Sequence, residues 1–263
     1  MGRLGAWKEK LLGEIASHPR ILILLDFDGT LVPMRARPHL AMLGADARAT
    51  LRRLDRGRAG VAMMSGRSVA DLRKRVGVPD IIYGGVFGME IAGRGWRYVH
   101  PMARAMRREL AGLVEGLGKL FADVPGVFIE DKGAGLCVHY RNVPDQRRKE
   151  FFRRLTHARA ASPGGLRWRR GRKSWEVMPR TDWDKGSAAE LIWRRQGRPY
   201  LLIIGDEHFD EPMFRVAHNH GAGLRVGRGT TEACHRLRDS NAVHRFLRGL
   251  AERVGAAPGR LDV

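Results

Sequence analysis

The sequence contains 263 residues, enough for one large domain or for two that share a chain. Hydrophobic residues make up 43% of it and charged residues 29%, which is typical of a globular protein and excludes a largely disordered one. Continuous apolar runs such as residues 21–25 are far shorter than the roughly 20 residues of a membrane-spanning helix, so we expect no membrane association. No secretory signal is visible, and we expect a cytoplasmic protein.

The net charge is +20, and such a basic excess could serve a nucleic acid or an anionic substrate. The basic residues are mostly arginines spread along the whole chain, with no helix-turn-helix, zinc-finger or RNA-binding motif among them. We therefore expect no nucleic-acid partner and interpret the charge as a solvated surface that also attracts phosphorylated substrates. The two cysteines, Cys137 and Cys234, are far apart and lack metal-site spacing, so reduced thiols are expected.

The first part of the chain alternates helical patterns with continuous apolar runs. Runs at 21–25 and 60–64 are typical of strands that a parallel sheet buries on both faces. Ser68 begins a helix, with Asp71 three residues later in the arrangement of a capping box. The other features of this kind are helices at 7–16 and 46–56, a glycine-rich turn at 84–85 after residues 80–83, and a third apolar run at 200–204.

The middle of the chain follows a different pattern, in which two strands, a helix and two more strands follow a long helix. The predicted segments are a helix at 103–121, strands at 126–130 and 136–140, a helix at 145–158, and strands at 166–170 and 174–178. We therefore predict an α/β fold with a doubly wound parallel-sheet core and an inserted α+β domain. The core comprises residues 1–102 and 181–263, and the insert comprises residues 103–180.

Each of the three buried strands ends in polar residues. In an open parallel sheet the ligand crevice lies at the carboxyl ends of the strands. We therefore expect Asp26, Ser65 and Asp206 to converge, although they are far apart in sequence. Lys185 is expected to join them from the start of another helix.

The segment 26–31, with the sequence DFDGTL, is the most informative motif. Two like-charged carboxylates after a buried strand repel each other unless a cation or phosphate chemistry requires them. Asp26 can act as a nucleophile towards phosphorus, and Asp28 can protonate the leaving alkoxide and then deprotonate the attacking water. Gly29 lets the backbone turn sharply. The alternative is an incidental pair of aspartates in a turn, and the complete six-residue string argues against it.

Further positions are predicted to complete the site. Ser65 and Gly66 offer a hydroxyl and backbone N–H groups to a phosphate, although a helix cap would also explain them. Lys185 can neutralise the nucleophile and the transferring phosphate, or is a surface charge. Asp206 offers the hard oxygen that Mg²⁺ prefers, and Asp210 is a second ligand or a brace behind the first. An acidic helix N-terminus is the alternative for both aspartates.

The segment 26–31 resembles the first motif of the haloacid dehalogenase superfamily of phosphohydrolases, and Ser65-Gly66-Arg67 resembles the second. The resemblance implies that Asp26 forms an aspartyl-phosphate and that Asp28 is the general acid and base. It also implies that the Asp26 side chain and the Asp28 carbonyl bind Mg²⁺, the expected cofactor.

Within the superfamily the chain resembles trehalose-6-phosphate phosphatases over roughly residues 21–250. The motifs that carry this resemblance are 26–31, 65–67, 85–90, 130–133, 138–141, 173, 176–179, 184–186 and 205–211. The insert then corresponds to the family's cap, which closes over the phosphate site and binds the sugar. The resemblance implies a sugar-phosphate substrate, trehalose 6-phosphate, and a functional link to a trehalose-6-phosphate synthase. The residues it assigns to the substrate are Arg67, Glu130, Lys132, His139, Arg141, Lys173 and Glu176.

The sequence departs from the family's pattern at four positions, Phe87, Asp184, Glu207 and Phe209. Phe87 replaces a histidine expected near the sugar, and Phe209 replaces a threonine beside the metal site. Both leave open a phosphatase for another glycosyl phosphate, such as sucrose phosphate, glucosylglycerol phosphate or a glycosyl phosphoglycerate. A catalytically silent regulatory module is a further alternative, against which the intact Asp26, Asp28 and Lys185 argue.

Overall fold

The computed structural model describes residues 5–34, 40–171 and 173–255. The chain forms two compact units, one of Met1–Arg97 with Trp183–Val263 and the other of Tyr98–Asp182. None of the helices in the described ranges is long and apolar enough to cross a membrane.

The larger unit is built on an eight-stranded sheet, whose last strand ends at Val99, two residues beyond the unit boundary at Arg97. Its strands are β1 Ile21–Leu25, β2 Ala59–Met64, β3 Ile82–Gly85, β4 Glu90–Gly93, β5 Trp96–Val99, β10 Tyr200–Gly205, β11 Gly221–Val226 and β12 His235–Leu237. Its helices are α1 Ala6–Ser17, α2 Ala45–Arg56, α3 Val69–Val76, α7 Lys185–Arg195, α8 Glu211–His218 and α9 Ser240–Val254.

The strand order is β12-β11-β10-β1-β2-β3-β4-β5. The strands from β12 to β3 are parallel, and β4 runs antiparallel to β3. The chain builds the sheet outward from β1 on one side and from β10 on the other. The boundary between β1 and β10 is therefore the topological switch point, where open α/β sheets place their ligands.

Strand β1 is buried along its whole length, as its continuous apolar sequence predicts. Ile21, Ile23 and Leu25 join a core cluster with side chains of α1, α2, α3 and α9. Leu22 and Leu24 point to the opposite face and are buried as well. The predicted α/β core with a large parallel sheet is confirmed.

The smaller unit contains a four-stranded antiparallel sheet with the order β6-β7-β9-β8. Its elements are α4 Pro101–Ala105, α5 Arg107–Leu120, β6 Phe128–Asp131, β7 Leu136–His139, α6 Asp145–Ala160, β8 Leu166–Gly171 and β9 Ser174–Pro179. Leu136, Val138 and Val177 pack with α5 and α6 in one apolar cluster. Because strand side chains alternate, Cys137 and Glu176 belong to the opposite face of the sheet.

Two local predictions are wrong. The single helix at 103–121 is two helices, α4 and α5, because Met106 between them leaves the helical conformation, with φ −89° and ψ 11°. Gly84 and Gly85 end strand β3 instead of forming a turn. A Cβ atom on Gly85 would lie 2.5 Å from the backbone nitrogen of Val69, so glycine is required there for close packing.

Candidate active site

Asp26, Asp206 and Lys185, three of the four polar residues predicted to converge, lie together at the carboxyl edge of the large sheet. Asp26 follows β1, and Lys185 begins α7. The Lys185 Nζ donates to Asp26 Oδ1 at 2.7 Å and to Asp210 Oδ1 at 2.6 Å. All three side chains are buried. The topology thus joins residues that lie 159 and 25 positions apart in sequence.

Lys185 is the positive centre of this buried group. Burial by itself lowers the pKa of its ammonium group, but the neighbouring Asp210 and Asp26 outweigh that effect and raise the pKa above its ordinary value. Lys185 therefore stays charged and offsets part of the repulsion between the carboxylates.

Three carboxylates form an oxygen-only cluster, in which oxygen atoms of Asp26, Asp206 and Asp210 lie within 4.8 Å of one another. Burial is the main reason that the pKa of Asp26 lies well above its usual range, with Asp210 and Asp206 adding to the rise. Burial and the charges of Asp210 and Glu207 raise the pKa of Asp206 to about 7. A cation would relieve this crowding, and hard carboxylate oxygens are the donors that Mg²⁺ prefers.

Asp210 organises the loop after β10. Its Oδ2 atom accepts hydrogen bonds from the backbone N–H groups of Asp206 and Glu207, both at 2.9 Å, while Oδ1 accepts from Lys185. A Cβ atom on Gly205 would lie 2.6 Å from the Asp210 carboxyl carbon, so only glycine fits there. The geometry favours a bracing role for Asp210 over direct binding of a metal, and its metal contact stays a prediction.

Gly29 and Thr30 set the position of Asp206. Gly29 has φ +90°, and a Cβ atom there would lie 2.1 Å from Asp206 Oδ2. The Thr30 hydroxyl donates to Asp206 Oδ1 at 3.1 Å. The sequence analysis did not assign a role to Thr30, although its place within the 26–31 motif was a signal.

Arg67 holds the second aspartate of the motif. Its Nε and Nη2 atoms donate to the two Asp28 oxygens at 2.6 and 2.7 Å, and Nη1 donates to Asp71 at 2.8 Å. Burial lowers the pKa of Arg67, but Asp28 and Asp71 more than offset this and raise it. The Arg67 backbone N–H also donates to Ser65 Oγ at 3.2 Å, which links the first two motifs. The predicted contact of Arg67 with the substrate stays a prediction.

Asp71 was predicted to form a capping box with Ser68. The Ser68 side chain does cap α3 by accepting from the Asp71 N–H. The Asp71 carboxylate accepts instead from Arg67 and from Arg75, the latter at 2.6 Å. This network ties the start of α3 to Asp28.

Two phenylalanines occupy positions where the resemblance to phosphatases leads us to expect polar residues. The rings of Phe87 and Phe209 lie 4.9 Å apart, and Phe87 is buried in a left-handed backbone conformation with φ +57°. A Cβ atom on Gly66 would lie 2.8 Å from the Phe87 ring, and Lys185 Nζ lies 6.0 Å from the ring centroid. The pair therefore forms an apolar wall beside the phosphate motif.

The remaining predicted residues lie in the smaller unit. Lys132 is buried, and its Nζ donates to Glu176 Oε2 at 2.8 Å. His139 Nε2 lies 2.7 Å from Glu130 Oε2. These four residues form two adjacent pairs on or beside the polar face of the four-stranded sheet. Arg141 follows β7, and Lys173 lies between β8 and β9 with φ +60°.

Comparison with known proteins gives consistent matches. A family model described as trehalose-phosphatase matches residues 24–242. A trehalose-phosphate phosphatase from Mycobacterium bovis is 33% identical over 261 residues, covering 94% of this chain and 65% of the relative. A bifunctional trehalose-6-phosphate synthase/phosphatase from Thermoproteus tenax is also 33% identical, over 253 residues that cover 94% of this chain and 33% of that protein. The chain thus spans 65% and 33% of the lengths of these relatives.

A solved structure shares the fold. The crystal structure of a trehalose-6-phosphate phosphatase related protein matches with a TM-score of 0.77 at 22% sequence identity. The match covers 88% of this chain and 97% of that one.

Proposed function

Because the chain belongs to the trehalose-phosphatase family, we propose that it is a Mg²⁺-dependent phosphohydrolase that releases phosphate from trehalose 6-phosphate. The observation that carries the proposal is the buried Asp26 carboxylate, 2.7 Å from Lys185 Nζ and clustered with Asp206. This arrangement supplies a nucleophile and a fixed positive charge at one point.

Asp26 attacks the phosphorus atom and forms an aspartyl-phosphate, while the sugar hydroxyl leaves. Lys185 stabilises the negative charge on the carboxylate and on the transferring phosphoryl group. The Ser65 hydroxyl and the backbone N–H of Gly66 bind the phosphate oxygens. Water then attacks the aspartyl-phosphate and frees Asp26 for the next cycle.

Asp28 protonates the leaving sugar oxygen and later takes the proton from the attacking water. In the structure both of its oxygens accept hydrogen bonds from Arg67. Asp28 can act as an acid only after this pair loosens, so Arg67 controls when Asp28 is available. The substrate's phosphate is a ligand that Arg67 can take in exchange.

The donor set fits Mg²⁺. Asp26, Asp206 and the Asp28 carbonyl would hold the ion, with Asp210 bracing the loop. Bound there, Mg²⁺ would supply positive charge that keeps Asp26 ionised and offsets the charge of the phosphoryl group. The raised pKa values of Asp26 and Asp206 support the need for that charge.

For the sugar, we propose Glu130, Lys132, His139 and Glu176, with Arg141 just after strand β7 and Lys173 in the connection between β8 and β9. Carboxylates, a buried ammonium group and an imidazole are suitable partners for sugar hydroxyls. The bifunctional Thermoproteus tenax relative supports a functional link to a trehalose-6-phosphate synthase.

The second candidate is a phosphatase for a different glycosyl phosphate. It is favoured by the apolar wall of Phe87 and Phe209, which offers no hydrogen bond to a sugar hydroxyl. The same chemistry at Asp26 would serve either substrate.

The test is phosphate release from a panel of sugar phosphates with and without Mg²⁺. The proposal predicts Mg²⁺-dependent release with trehalose 6-phosphate as the preferred substrate. Preference for another member would support the second candidate, and silence across the panel from folded protein would contradict both.

A further inference from the structure

One face of the four-stranded sheet carries three side chains with different metal-binding chemistry. Glu130 on β6 lies directly opposite Cys137 on β7, and His139 follows two residues later on the same face. Their carboxylate, thiol and imidazole ligand atoms lie within 4.8 Å of one another. Paired strands, which are more rigid than a loop, hold these groups together.

We propose that Glu130, Cys137 and His139 form a zinc-binding site, chemically distinct from the Mg²⁺ site at Asp26. A sulfur, a nitrogen and an oxygen donor suit Zn²⁺, whereas Mg²⁺ selects oxygen donors alone. Three protein ligands leave the fourth tetrahedral position open for water.

The distances require only small side-chain movements. Ligands bound to Zn²⁺ at about 2.0 to 2.3 Å in a tetrahedron lie roughly 3.3 to 3.7 Å apart. The Glu130 and His139 ligand atoms are now 2.7 Å apart and would separate slightly, and the Cys137 sulfur already lies within 4.8 Å of both. The ring of Phe128 stacks on the His139 ring with centroids 5.6 Å apart, which orients the imidazole.

Binding of the ion changes the local charge by one unit. Lys132 pairs with Glu176 at 2.8 Å, and Glu176 lies directly opposite Cys137 on one side and Arg169 on the other. The charges of Glu130, Glu176, Lys132 and Arg169 sum to about zero. When the sulfur–zinc bond forms, the Cys137 thiol gives its proton to solvent, so the thiolate and Zn²⁺ together add one positive charge.

Two of the three ligands are partly open to solvent. The side chains of His139 and Glu130 are 24% and 25% exposed, whereas Cys137 is fully buried. The ion therefore meets the imidazole and carboxylate first and the thiol last.

One consequence rests on the proposed function. Zn²⁺ would bind Glu130 and His139, which are also proposed to bind the sugar, so the ion and the sugar cannot bind at the same time. Zinc should then raise the KM for trehalose 6-phosphate in the wild-type protein and leave the KM of a Cys137→Ala variant unchanged. Binding of the ion is tested without any turnover.

The test is a Co²⁺ titration of the full chain in excess Mg²⁺, because Co²⁺ bound to a thiolate gives a sulfur-to-cobalt charge-transfer band. The band should appear in the wild-type protein and in Cys234→Ala, the matched control with an exposed thiol. It should vanish in Cys137→Ala. In His139→Asn, which serves if Cys137→Ala does not fold, Co²⁺ affinity should fall by about tenfold or more.

Two results would overturn the site. One is a wild-type spectrum without the sulfur band, as expected if cobalt enters only the oxygen cluster at Asp26. The other is a band that survives Cys137→Ala or that His139→Asn leaves at full affinity.

Discussion

The two units each contain a buried lysine paired with carboxylates, and the surroundings of the two pairs differ. Lys185 lies among oxygen donors at the carboxyl ends of parallel strands, bonded to Asp26 and Asp210. Lys132 lies beside the polar face of an antiparallel sheet, bonded to Glu176 and close to Cys137. The first arrangement concentrates negative charge where a hard cation and a phosphoryl group are stabilised. The second spreads donors of several kinds over a surface, which suits recognition.

The largest expected difference is in stability. Lys185→Met leaves two buried carboxylates without a counter-charge, which costs about 3 to 5 kcal/mol in the free energy of unfolding. Lys132→Met leaves one partly exposed carboxylate and costs roughly 1 to 3 kcal/mol. Urea unfolding measures both, with Lys119→Met as an exposed control that should change less than about 0.5 kcal/mol. Equal losses at Lys185 and Lys132 would remove the distinction between the two pairs.

A smaller expected effect should show whether Glu176 recognises the sugar without taking part in phosphoryl transfer. Glu176→Gln keeps the side-chain shape but removes the charge that pairs with Lys132. We expect kcat/KM for trehalose 6-phosphate to fall by about tenfold, while hydrolysis of a small phosphate ester changes less than about twofold. The exposed Glu115→Gln in the same unit is the control. Equal losses on both substrates would take Glu176 out of the sugar site.

The sequence predicted the residues around Lys185 far better than the residues around Lys132. A continuous apolar run shows where a buried strand ends, and parallel strands end at the same edge of the sheet. This pattern identified Asp26, Ser65 and Asp206. Glu130 and His139 alternate with apolar residues, a pattern that any half-exposed strand shows, so only a family resemblance singled them out.

Other features could not be predicted because they depend on distant partners. The Arg67–Asp28 pair joins residues 39 positions apart, and side-chain pairing at that range leaves no local pattern. Strand β11, with the sequence GAGLRV, lacks the apolar run of β1, and its first residue must be glycine because a Cβ atom on Gly221 would lie 2.1 Å from the Leu201 carbonyl oxygen.

The smallest expected effect concerns pH. The pKa of Asp206 is raised to about 7 in the folded protein, above the unfolded value of about 3.9. The folded state therefore binds more protons between these values, and the metal-free protein loses stability as pH rises from about 4 to 7. Mg²⁺ binds the ionised form, so it should raise the Tm more at about pH 8 than at about pH 5.

Thermal unfolding with and without Mg²⁺ at both pH values measures this effect. In Asp206→Asn, the rise in Tm that Mg²⁺ causes at about pH 8 should exceed the rise at about pH 5 by less than in the wild-type protein. Equal shifts in the wild-type protein would contradict a titrating carboxylate at the metal site.

The central claim is that Asp26 carries the phosphoryl group. Rapid acid quenching during turnover of trehalose 6-phosphate, followed by mass analysis of peptides, tests it directly. We expect one phosphoryl group on the peptide that contains Asp26 in the wild-type protein and in the control Asp46→Asn. Asp26→Asn should show neither the modified peptide nor phosphate release. Phosphate release by Asp26→Asn at the wild-type rate would contradict the claim.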